Sequence, residues 1–248
     1  MLRLVKPRVV LVHGIRTSRT MWRSQLDHLA AGGVSAVAVD LPGHGSRMHE
    51  PFTLTEASAT IDRAVRDAAA HAPVLLVGQS MGGLLSVAYA GQKDAPPLAG
   101  LIGAACTTFP RGVPLSTYRF LTQQFDALPD RGLWLTRRML AATLPEDTRA
   151  DFEAGGYAFD TQGDALTSLG DLDLETALPR IRIPVWWING QFDQLRIHER
   201  LFRQLTPHSE LIVVPRTTHL VTAMRPRVFN ALLDLAVATL ERDAQPSS

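Results

Sequence analysis

The chain has 248 residues, of which 46% are hydrophobic and 20% are charged. This balance excludes a disordered or fibrous protein and indicates one globular domain with a sizeable core. The 25 Lys and Arg residues nearly cancel the 24 Asp and Glu residues, so no net charge favours binding to nucleic acid or to an anionic membrane.

Cysteine content and the length of the apolar runs predict a cytoplasmic protein. The single cysteine, Cys106, cannot form a disulfide within the chain, and the first strand-like run begins at Val9, which leaves no room for a cleavable signal peptide. No stretch of the sequence approaches the roughly 20 consecutive apolar residues that a membrane helix needs. We therefore expect no membrane span and no membrane partner.

Short apolar runs alternate with segments of helical periodicity. The runs are typical of strands buried on both faces, and they cover residues 8–13, 36–39, 73–77, 98–105, 185–188 and 211–214. The helical segments cover residues 22–31, 55–71, 81–91, 199–205 and 226–242. This alternation predicts an α/β fold in which a mostly parallel sheet of about six strands is flanked by helices.

Local signals mark several helix ends. Thr55 is a candidate N-cap, Gly32 and Gly33 follow the first helical segment, and Pro226 opens the last one. The tail of the chain, residues 243–248, is expected to fray.

The segment 107–180 interrupts the alternation. It contains no convincing strand, and five prolines divide it into helical pieces rich in Phe, Leu and Trp. We therefore predict a core domain formed by residues 1–106 and 181–248, with residues 107–180 inserted as a helical cap, or lid, over one end of the sheet.

Residues 78–82, Gly-Gln-Ser-Met-Gly, carry the strongest chemical signal in the sequence. They fit the pattern G-x-S-x-G and lie between a buried apolar run and a helical segment, the strand-to-helix setting that the motif requires. Small residues are needed beside the serine because its backbone is strained, and the start of the helix favours negative charge near the hydroxyl. Ser80 is therefore a candidate nucleophile.

A candidate acid and a candidate base follow Ser80 in the chain. A serine hydroxyl is a weak nucleophile at neutral pH, so it needs a neighbouring base, which in turn needs an orienting partner. Asp193 follows the run 185–188, and His219 follows the run 211–214. Both loops then lie at the carboxyl ends of parallel strands, where an open α/β sheet has its site. We predict a catalytic triad of Ser80, His219 and Asp193.

Four motifs in order show a resemblance to the α/β-hydrolase superfamily over nearly the whole chain. They are Val-His-Gly at residues 12–14, Asp-Leu-Pro-Gly-His-Gly at residues 40–45, the turn at Ser80, and the loops of Asp193 and His219. The order Ser, Asp, His is the order of the family's triad. The resemblance implies an α/β-hydrolase fold.

The resemblance also implies roles for residues near the nucleophile. The family's oxyanion hole corresponds here to the backbone N–H groups of Ile15 and Met81, and His13 is expected to brace its loop without transferring a proton. The two N-terminal strands of the full family sheet are expected to be absent or reduced, as in the compact branch of esterases and hydroxynitrile lyases. Gln79 and Thr218 stand where the family often has His and Gly, and neither change affects the required chemistry.

Other candidate residues have weaker support. Some family members have the acid after the run 98–105, but residues 104–108 contain no carboxylate. Asp40 belongs to a structural turn in the resembling motif, and Cys106 has no second base paired with it. The eight histidines form no metal-binding motif, and no glycine motif for dinucleotides or phosphates is present, so we expect no metal and no cofactor.

Apolar residues of the predicted cap indicate a hydrophobic pocket. The cap holds Phe109, Tyr118, Phe120, Phe125, Leu133, Trp134, Met139 and Leu140. The residues that we expect to line the pocket are Phe109, Tyr118, Phe125, Trp134 and Leu220. Two arginines in the loop after Ile15, Arg16 and Arg19, are candidates to pair with a substrate carboxylate, although solvated loop arginines are more common.

These features predict a serine esterase that cleaves a small or medium hydrophobic carboxylic ester, thioester or lactone through an acyl-enzyme. Because one fold hosts many reactions, carbon–carbon bond hydrolysis by the same triad is an alternative. A hydroxynitrile lyase is less favoured, since residues 186–216 contain no lysine. A third alternative is a small-molecule receptor with slow turnover. The expected partner is a small hydrophobic ester, and we expect no binding to nucleic acid.

Overall fold

Six parallel strands form the sheet that the apolar runs predict. The computed structural model describes residues 6–243. Its strands are β1 (Arg8–Val12), β2 (Ala36–Val39), β3 (Val74–Gln79), β4 (Gly100–Ala104), β5 (Val185–Gly190) and β6 (Ser209–Val214). They lie in the order β2-β1-β3-β4-β5-β6, and every neighbouring pair is parallel. The predicted α/β class and the number of strands are confirmed.

The edge strands differ from the inner strands in burial. Every residue of β3, β4 and β5 is buried, whereas Val37 of β2 is 44% exposed and Val213 of β6 is 37% exposed. The expectation that all six runs are buried on both faces is wrong for these two strands. An edge strand has a neighbour on one side only, so the covering helices leave part of it open to solvent.

Helices cover both faces of the sheet. On one face lie α1 (Arg23–Ala31) and α11 (Pro226–Asp243), and on the other lie α2 (Leu54–Ala69), α3 (Met81–Ala90) and α9 (Glu199–Leu205). Short helical turns occur at Arg19–Trp22, Gly45–Arg47, Pro129–Gly132, Leu178–Arg180 and α10 (Val221–Met224). Alternate residues of β1 contact the two layers: Val10 packs with the α2 and α3 layer, and Leu11 with the α1 and α11 layer. This explains why the runs are apolar throughout.

Helix α2 is capped by Thr53, not by the predicted Thr55. Thr53 is extended, and its Oγ1 accepts a hydrogen bond from the N–H of Glu56 at 3.2 Å. Thr53 and Glu56 have the spacing of a capping box, so the sequence does contain the correct signal. After α1 the expectation holds: Gly33 has a φ of +69°, a conformation that favours glycine.

The described segment between β4 and β5 contains helices and no strand. These helices are α4 (Gly112–Asp126), α5 (Leu133–Thr143), α6 (Glu146–Ala154), α7 (Gln162–Leu169) and α8 (Leu174–Ala177). The short helix α8 packs against the end of α3, where a Cβ on Gly91 would lie 2.4 Å from the carbonyl oxygen of Ala177. The last part of the predicted insertion therefore contacts the core, and the division into core and cap stays a prediction.

Within residues 6–243, no helix is both long enough and apolar enough to cross a membrane. Helix α11 continues to Asp243, and the rest of the tail that we expected to fray lies outside the described residues.

Candidate active site

Four loops that carry predicted site residues meet at one edge of the sheet. Ile15 follows β1, Ser80 follows β3, Asp193 follows β5 and His219 follows β6. Because all six strands are parallel, their carboxyl ends lie at the same edge. The chain goes from β1 outwards to β2 and then returns to β3 on the other side of β1, and open α/β sheets bind ligands at such a reversal.

Ser80 lies in a strained turn between β3 and α3. Its backbone has φ of 53° and ψ of −119°, a region that residues other than glycine rarely adopt. A Cβ on Gly78 would lie 2.4 Å from the carbonyl oxygen of Gly82, and a Cβ on Gly82 would lie 2.4 Å from that of His13. Glycine at both positions thus permits the close backbone contacts that hold the serine at the start of α3.

Ser80, His219 and Asp193 form one chain of hydrogen bonds. His219 Nε2 lies 2.9 Å from Ser80 Oγ, and His219 Nδ1 lies 3.0 Å from Asp193 Oδ1. With Nδ1 protonated, the imidazole donates to the carboxylate, and Nε2 can accept the serine proton. The structure brings the three residues together in the arrangement that activates a serine nucleophile, and their catalytic roles stay a prediction.

Asp193 is buried in a loop that a polar network fixes. Its Oδ1 also accepts a hydrogen bond from the N–H of Leu195 at 2.8 Å, whereas Oδ2 has no hydrogen-bond partner within the described range 6–243. Arg196 donates two hydrogen bonds to Glu199, which also accepts one from the buried Asn189 at 3.0 Å. Sequence analysis missed this network, although an Arg and a Glu three residues apart were a signal for it.

Gln79, the residue before Ser80, holds the loop of His219. Its Nε2 donates to the backbone carbonyl of His219 at 3.3 Å, and its Oε1 accepts from the hydroxyl of Thr222 at 3.2 Å. Gln79 is buried, so these hydrogen bonds satisfy polar atoms that are costly to bury alone. The departure from the usual family residue at this position has a structural role that sequence analysis did not assign.

The N–H groups of Ile15 and Met81, which we predicted as oxyanion donors, belong to residues that border the same pocket as Ser80. Neither group donates a hydrogen bond to an acceptor in the part of the chain that the structure describes. A Cβ on Gly14 would lie 3.3 Å from Ser80 Cβ, so the loop after β1 passes directly beside the serine. An oxyanion hole requires two such N–H groups beside the nucleophile, and this role of Ile15 and Met81 stays a prediction.

His13 is neutral and braces the loop after β1, which we call the oxyanion loop. Burial, followed by the charge of the nearby His44, lowers the pKa of His13 from 6.5 to about 3. Its Nδ1 lies 2.8 Å from the Gly14 carbonyl oxygen, and its Nε2 lies 3.0 Å from the N of Leu41. A neutral ring protonated at Nδ1 satisfies both contacts. His13 therefore joins the oxyanion loop to the loop after β2.

Asp40 is held by hydrogen bonds within its turn, and Cys106 is a buried thiol. Asp40 accepts hydrogen bonds from the N–H of Arg19 at 2.7 Å and from the hydroxyl of Ser46 at 2.8 Å. Burial alone would raise the pKa of Asp40, but its hydrogen bonds hold it below the ordinary value. Burial, and then the charge of Asp193, raises the pKa of the Cys106 thiol.

Across residues 6–243, no three His, Cys, Asp or Glu side chains form a group that could hold a metal ion.

Two pockets meet at Ser80. The first, which we call the leucine pocket, has a volume of about 460 Å³ including its open mouth and is bordered by Leu84, Phe109, Leu115, Leu166, Leu169 and Leu195. The second, the arginine pocket, has about 680 Å³ and a border that includes Arg16, Thr17, Thr136, Tyr157 and His219. Both pockets are bordered by Ile15, Ser80 and Tyr118.

Three of the five expected pocket residues border these pockets. Phe109 borders the leucine pocket, Leu220 the arginine pocket, and Tyr118 both. The structure places Phe125 and Trp134 elsewhere. Phe125 is seven residues after Tyr118 on α4, about 10 Å further along the helix axis, and Trp134 is 54% exposed. The hydrophobic character of Phe125 and Trp134 indicated that they belong to the helices between β4 and β5. It could not indicate which part of each helix borders the pocket.

The two arginines of the oxyanion loop have different surroundings. Arg16 borders the arginine pocket and forms an ion pair with Asp126 at the end of α4. Its Cζ also lies 4.9 Å from the centroid of the Phe159 ring. The side chain of Arg19 is 56% exposed and lies 3.5 Å from Asp40. Arg16 is therefore the arginine that borders the site.

Comparisons with known proteins place the chain in a family. A pimeloyl-(acyl-carrier protein) methyl ester esterase from Xanthomonas oryzae pv. oryzae (strain MAFF 311018) is 30% identical in an alignment of 235 residues that covers 86% of this chain and 88% of the relative. The structure of a thermophilic esterase from Thermogutta terrifontis has a TM-score of 0.74 at 21% identity and covers 96% of this chain and 91% of that chain. An esterase from Exiguobacterium antarcticum has a TM-score of 0.78 at 20% identity, over 95% and 93% of the two chains. The sequence model of the Alpha/beta hydrolase family matches residues 9–232, and the chain belongs to this family.

Proposed function

We propose that this chain is a serine hydrolase that cleaves carboxylic esters with a hydrophobic acyl group through an acyl-enzyme. The observation that carries the proposal is the hydrogen-bonded chain from Ser80 through His219 to Asp193, with separations of 2.9 and 3.0 Å, beside an apolar pocket. The relative that is 30% identical is named as a methyl ester esterase, which supports the same class of reaction here.

The first half of the proposed reaction transfers the acyl group to the enzyme. Ser80 Oγ attacks the ester carbonyl carbon while His219 Nε2 takes the hydroxyl proton, and Asp193 stabilises the imidazolium that forms. The carbonyl oxygen becomes an oxyanion that accepts hydrogen bonds from the N–H groups of Ile15 and Met81, each worth roughly 3 kcal/mol in comparable sites. The bond to the alcohol oxygen then breaks, and His219 returns the proton to that oxygen. The alcohol leaves, and the acyl group stays on Ser80.

The second half of the reaction releases the acid. A water molecule occupies the position of the alcohol, gives a proton to His219 and attacks the acyl carbon. The same two N–H groups stabilise the second oxyanion, and its collapse returns the proton to Ser80 Oγ and releases the carboxylic acid. Protein side chains, backbone N–H groups and water supply every step of this scheme, so we propose a reaction without a cofactor.

We also propose that helices α4 to α7 form a cap over the site. Residues from all four helices border the two pockets, namely Leu115, Tyr118, Thr136, Leu140, Phe152 and Leu166. A substrate at Ser80 would be enclosed between these helices and the edge of the sheet. The cap would therefore set the size and polarity of the small-molecule ester that the enzyme accepts.

Labelling with a fluorophosphonate probe tests the nucleophile. We expect the wild type to be labelled and Ser80→Ala to remain unlabelled, with a folded circular dichroism spectrum in both proteins. Ser86→Ala is the matched control, because Ser86 lies on α3 and its hydroxyl donates to the Gly82 carbonyl at 2.7 Å, outside the hydrogen-bonded chain. This control should be labelled like the wild type. An unlabelled wild type would contradict an activated Ser80.

A panel of p-nitrophenyl esters of increasing acyl length tests the reaction. Hydrolysis that requires Ser80 and shows an optimum chain length would support an esterase with a pocket of limited size. Labelling of Ser80 without turnover of any ester would contradict ester hydrolysis. That result would instead favour carbon–carbon bond hydrolysis by the same triad, or ligand binding with slow turnover.

A further inference from the structure

The two pockets at Ser80 differ in the reacting groups that they contain. Ser80 and Ile15 border both, but Met81 borders the leucine pocket alone, and His219 borders the arginine pocket alone. Ser80 thus separates a side with both oxyanion donors from a side with the base.

If the chain is an esterase, as proposed above, this asymmetry allows a bound ester only one orientation on Ser80. The inference drawn below therefore rests on the proposed function. His219 Nε2 must protonate the departing alcohol oxygen, so that oxygen has to lie within hydrogen-bond reach of the imidazole. The alcohol therefore lies on the side of the arginine pocket. The acyl group stays bonded to Ser80 after the alcohol has left, and it must extend away from His219, where the leucine pocket opens beside Met81.

We infer that the leucine pocket binds the acyl chain of the substrate and that the arginine pocket binds a neutral, oxygen-bearing alcohol. The first assignment fits the border of the leucine pocket, where Leu166 and Leu169 are buried and Phe109 adds an aromatic face. Such a border favours alkyl or aryl groups, and none of its residues is charged.

The second assignment follows from the polar atoms of the arginine pocket. Two buried donors of residues on its border, Arg16 Nε and the hydroxyl of Tyr157, have no hydrogen-bond partner among the described residues. Burial raises the pKa of Tyr157 to about 12, so its hydroxyl remains a donor at neutral pH. Unsatisfied buried donors are costly, and an oxygen acceptor on the bound alcohol would satisfy them. Because the charge of Arg16 is already paired with Asp126, a neutral acceptor fits better than a carboxylate.

Two ester series and two pocket-filling variants test the assignment. One series varies the acyl group from acetyl to octanoyl with ethanol as the alcohol, and the other varies the alcohol of a butyrate ester among ethanol, hexanol and glycerol. Leu115→Trp narrows the leucine pocket from α4, and Thr136→Trp narrows the arginine pocket from α5. Both positions are partly exposed, which limits damage to the core.

The expected changes are opposite for the two variants. Leu115→Trp should lower kcat/KM for octanoyl esters roughly tenfold or more relative to acetyl esters, with the ranking of alcohols unchanged. Thr136→Trp should lower kcat/KM for hexyl and glyceryl esters relative to ethyl esters, with the ranking of acyl groups unchanged. Val113→Trp is the matched control, since Val113 is on α4, 77% exposed and outside both borders, and it should keep both rankings.

The preference for oxygen in the alcohol has its own test. The wild type should prefer glyceryl butyrate to hexyl butyrate, and Tyr157→Phe should reduce that preference roughly tenfold, because it removes one donor and little volume. A wild type that prefers hexyl butyrate would overturn the polar assignment.

The outcomes separate failure of this inference from failure of the proposed function. The pocket assignment would be wrong if Leu115→Trp changed the ranking of alcohols and Thr136→Trp changed the ranking of acyl groups. It would also be wrong if neither variant changed either ranking. In both cases the proposed ester hydrolysis would still stand. Leu115→Phe and Thr136→Leu give the same comparison if a tryptophan prevents folding. A wild type that hydrolyses no ester and binds no fluorophosphonate would instead overturn the proposed function.

Discussion

Arg16 and Asp126 form a hydrogen-bonded ion pair that joins the oxyanion loop to helix α4. Arg16 follows Ile15 in the chain and has a φ of 61°, a strained conformation for a residue other than glycine. Its side chain is 17% exposed, and Asp126 also accepts a hydrogen bond from Gln162 at the start of α7 at 3.0 Å. The pair therefore fixes the loop that carries the N–H of Ile15, the proposed oxyanion donor, against helices α4 and α7.

Asp126→Asn should destabilise the protein and lower kcat for esters. The variant leaves the largely buried guanidinium of Arg16 without its charged partner, at a cost of about 1–2 kcal/mol, and it loosens the loop that positions the N–H of Ile15. Urea unfolding at neutral pH measures the stability. Asp160→Asn is the matched control, because Asp160 pairs with Arg131 at 2.5 Å but is 92% exposed, and it should leave stability unchanged. Equal losses in the two variants would contradict a special role for Asp126.

Ser80→Gly should be more stable than Ser80→Ala. Both variants remove the hydroxyl that contacts His219, but only glycine adopts φ of 53° and ψ of −119° without strain. Relief of about 1–3 kcal/mol of strain exceeds the roughly 0.4–1 kcal/mol that glycine costs through the greater freedom of the unfolded chain. Thermal unfolding of the two inactive variants measures the difference. A more stable Ser80→Ala would show that the turn is not strained.

The sequence was sufficient to predict the six strands and the convergence of Ser80, Asp193 and His219. Each of these residues follows a buried apolar run, and parallel strands bring their carboxyl ends to one edge whatever the length of the connections. The pattern around Ser80 is also local, because the glycines that its turn requires lie within a few residues of it.

Contacts between distant segments could not be predicted in the same way. Gln79 holds the carbonyl of His219 across 140 positions of sequence, and Arg16 meets Asp126 across 110. No local pattern reports such pairs, since they depend on how loops and helices pack. The position of Phe125 outside both pockets was unpredictable for the same reason. The sequence indicated a helix rich in apolar residues, but which part of α4 lies at the site depends on tertiary packing.

Asp193→Asn should retain more activity than Asp193→Ala. In the wild type, one atom, Asp193 Oδ1, accepts from both the imidazole of His219 and the N–H of Leu195. An asparagine with its carbonyl oxygen in that position keeps both hydrogen bonds and the tautomer of His219, and it loses the negative charge that stabilises the imidazolium. Alanine also loses the orienting contact, and we expect kcat to fall by roughly 10⁴. Equal loss in the two variants would mean that the amide binds with its nitrogen towards His219.

The low pKa of His13 should make the protein less stable as the pH falls. In the unfolded chain His13 binds a proton below about pH 6.5, whereas the folded protein resists protonation until about pH 3. The unfolded state therefore holds more protons in this window, and the free energy of unfolding falls by up to about 1.4 kcal/mol per pH unit from this residue, with no contribution above pH 6.5. Urea unfolding from neutral pH to pH 4 should show a shallower dependence for His13→Asn. His71→Asn, at an exposed position, should keep the wild-type slope. An unchanged slope in His13→Asn would contradict a neutral, buried His13.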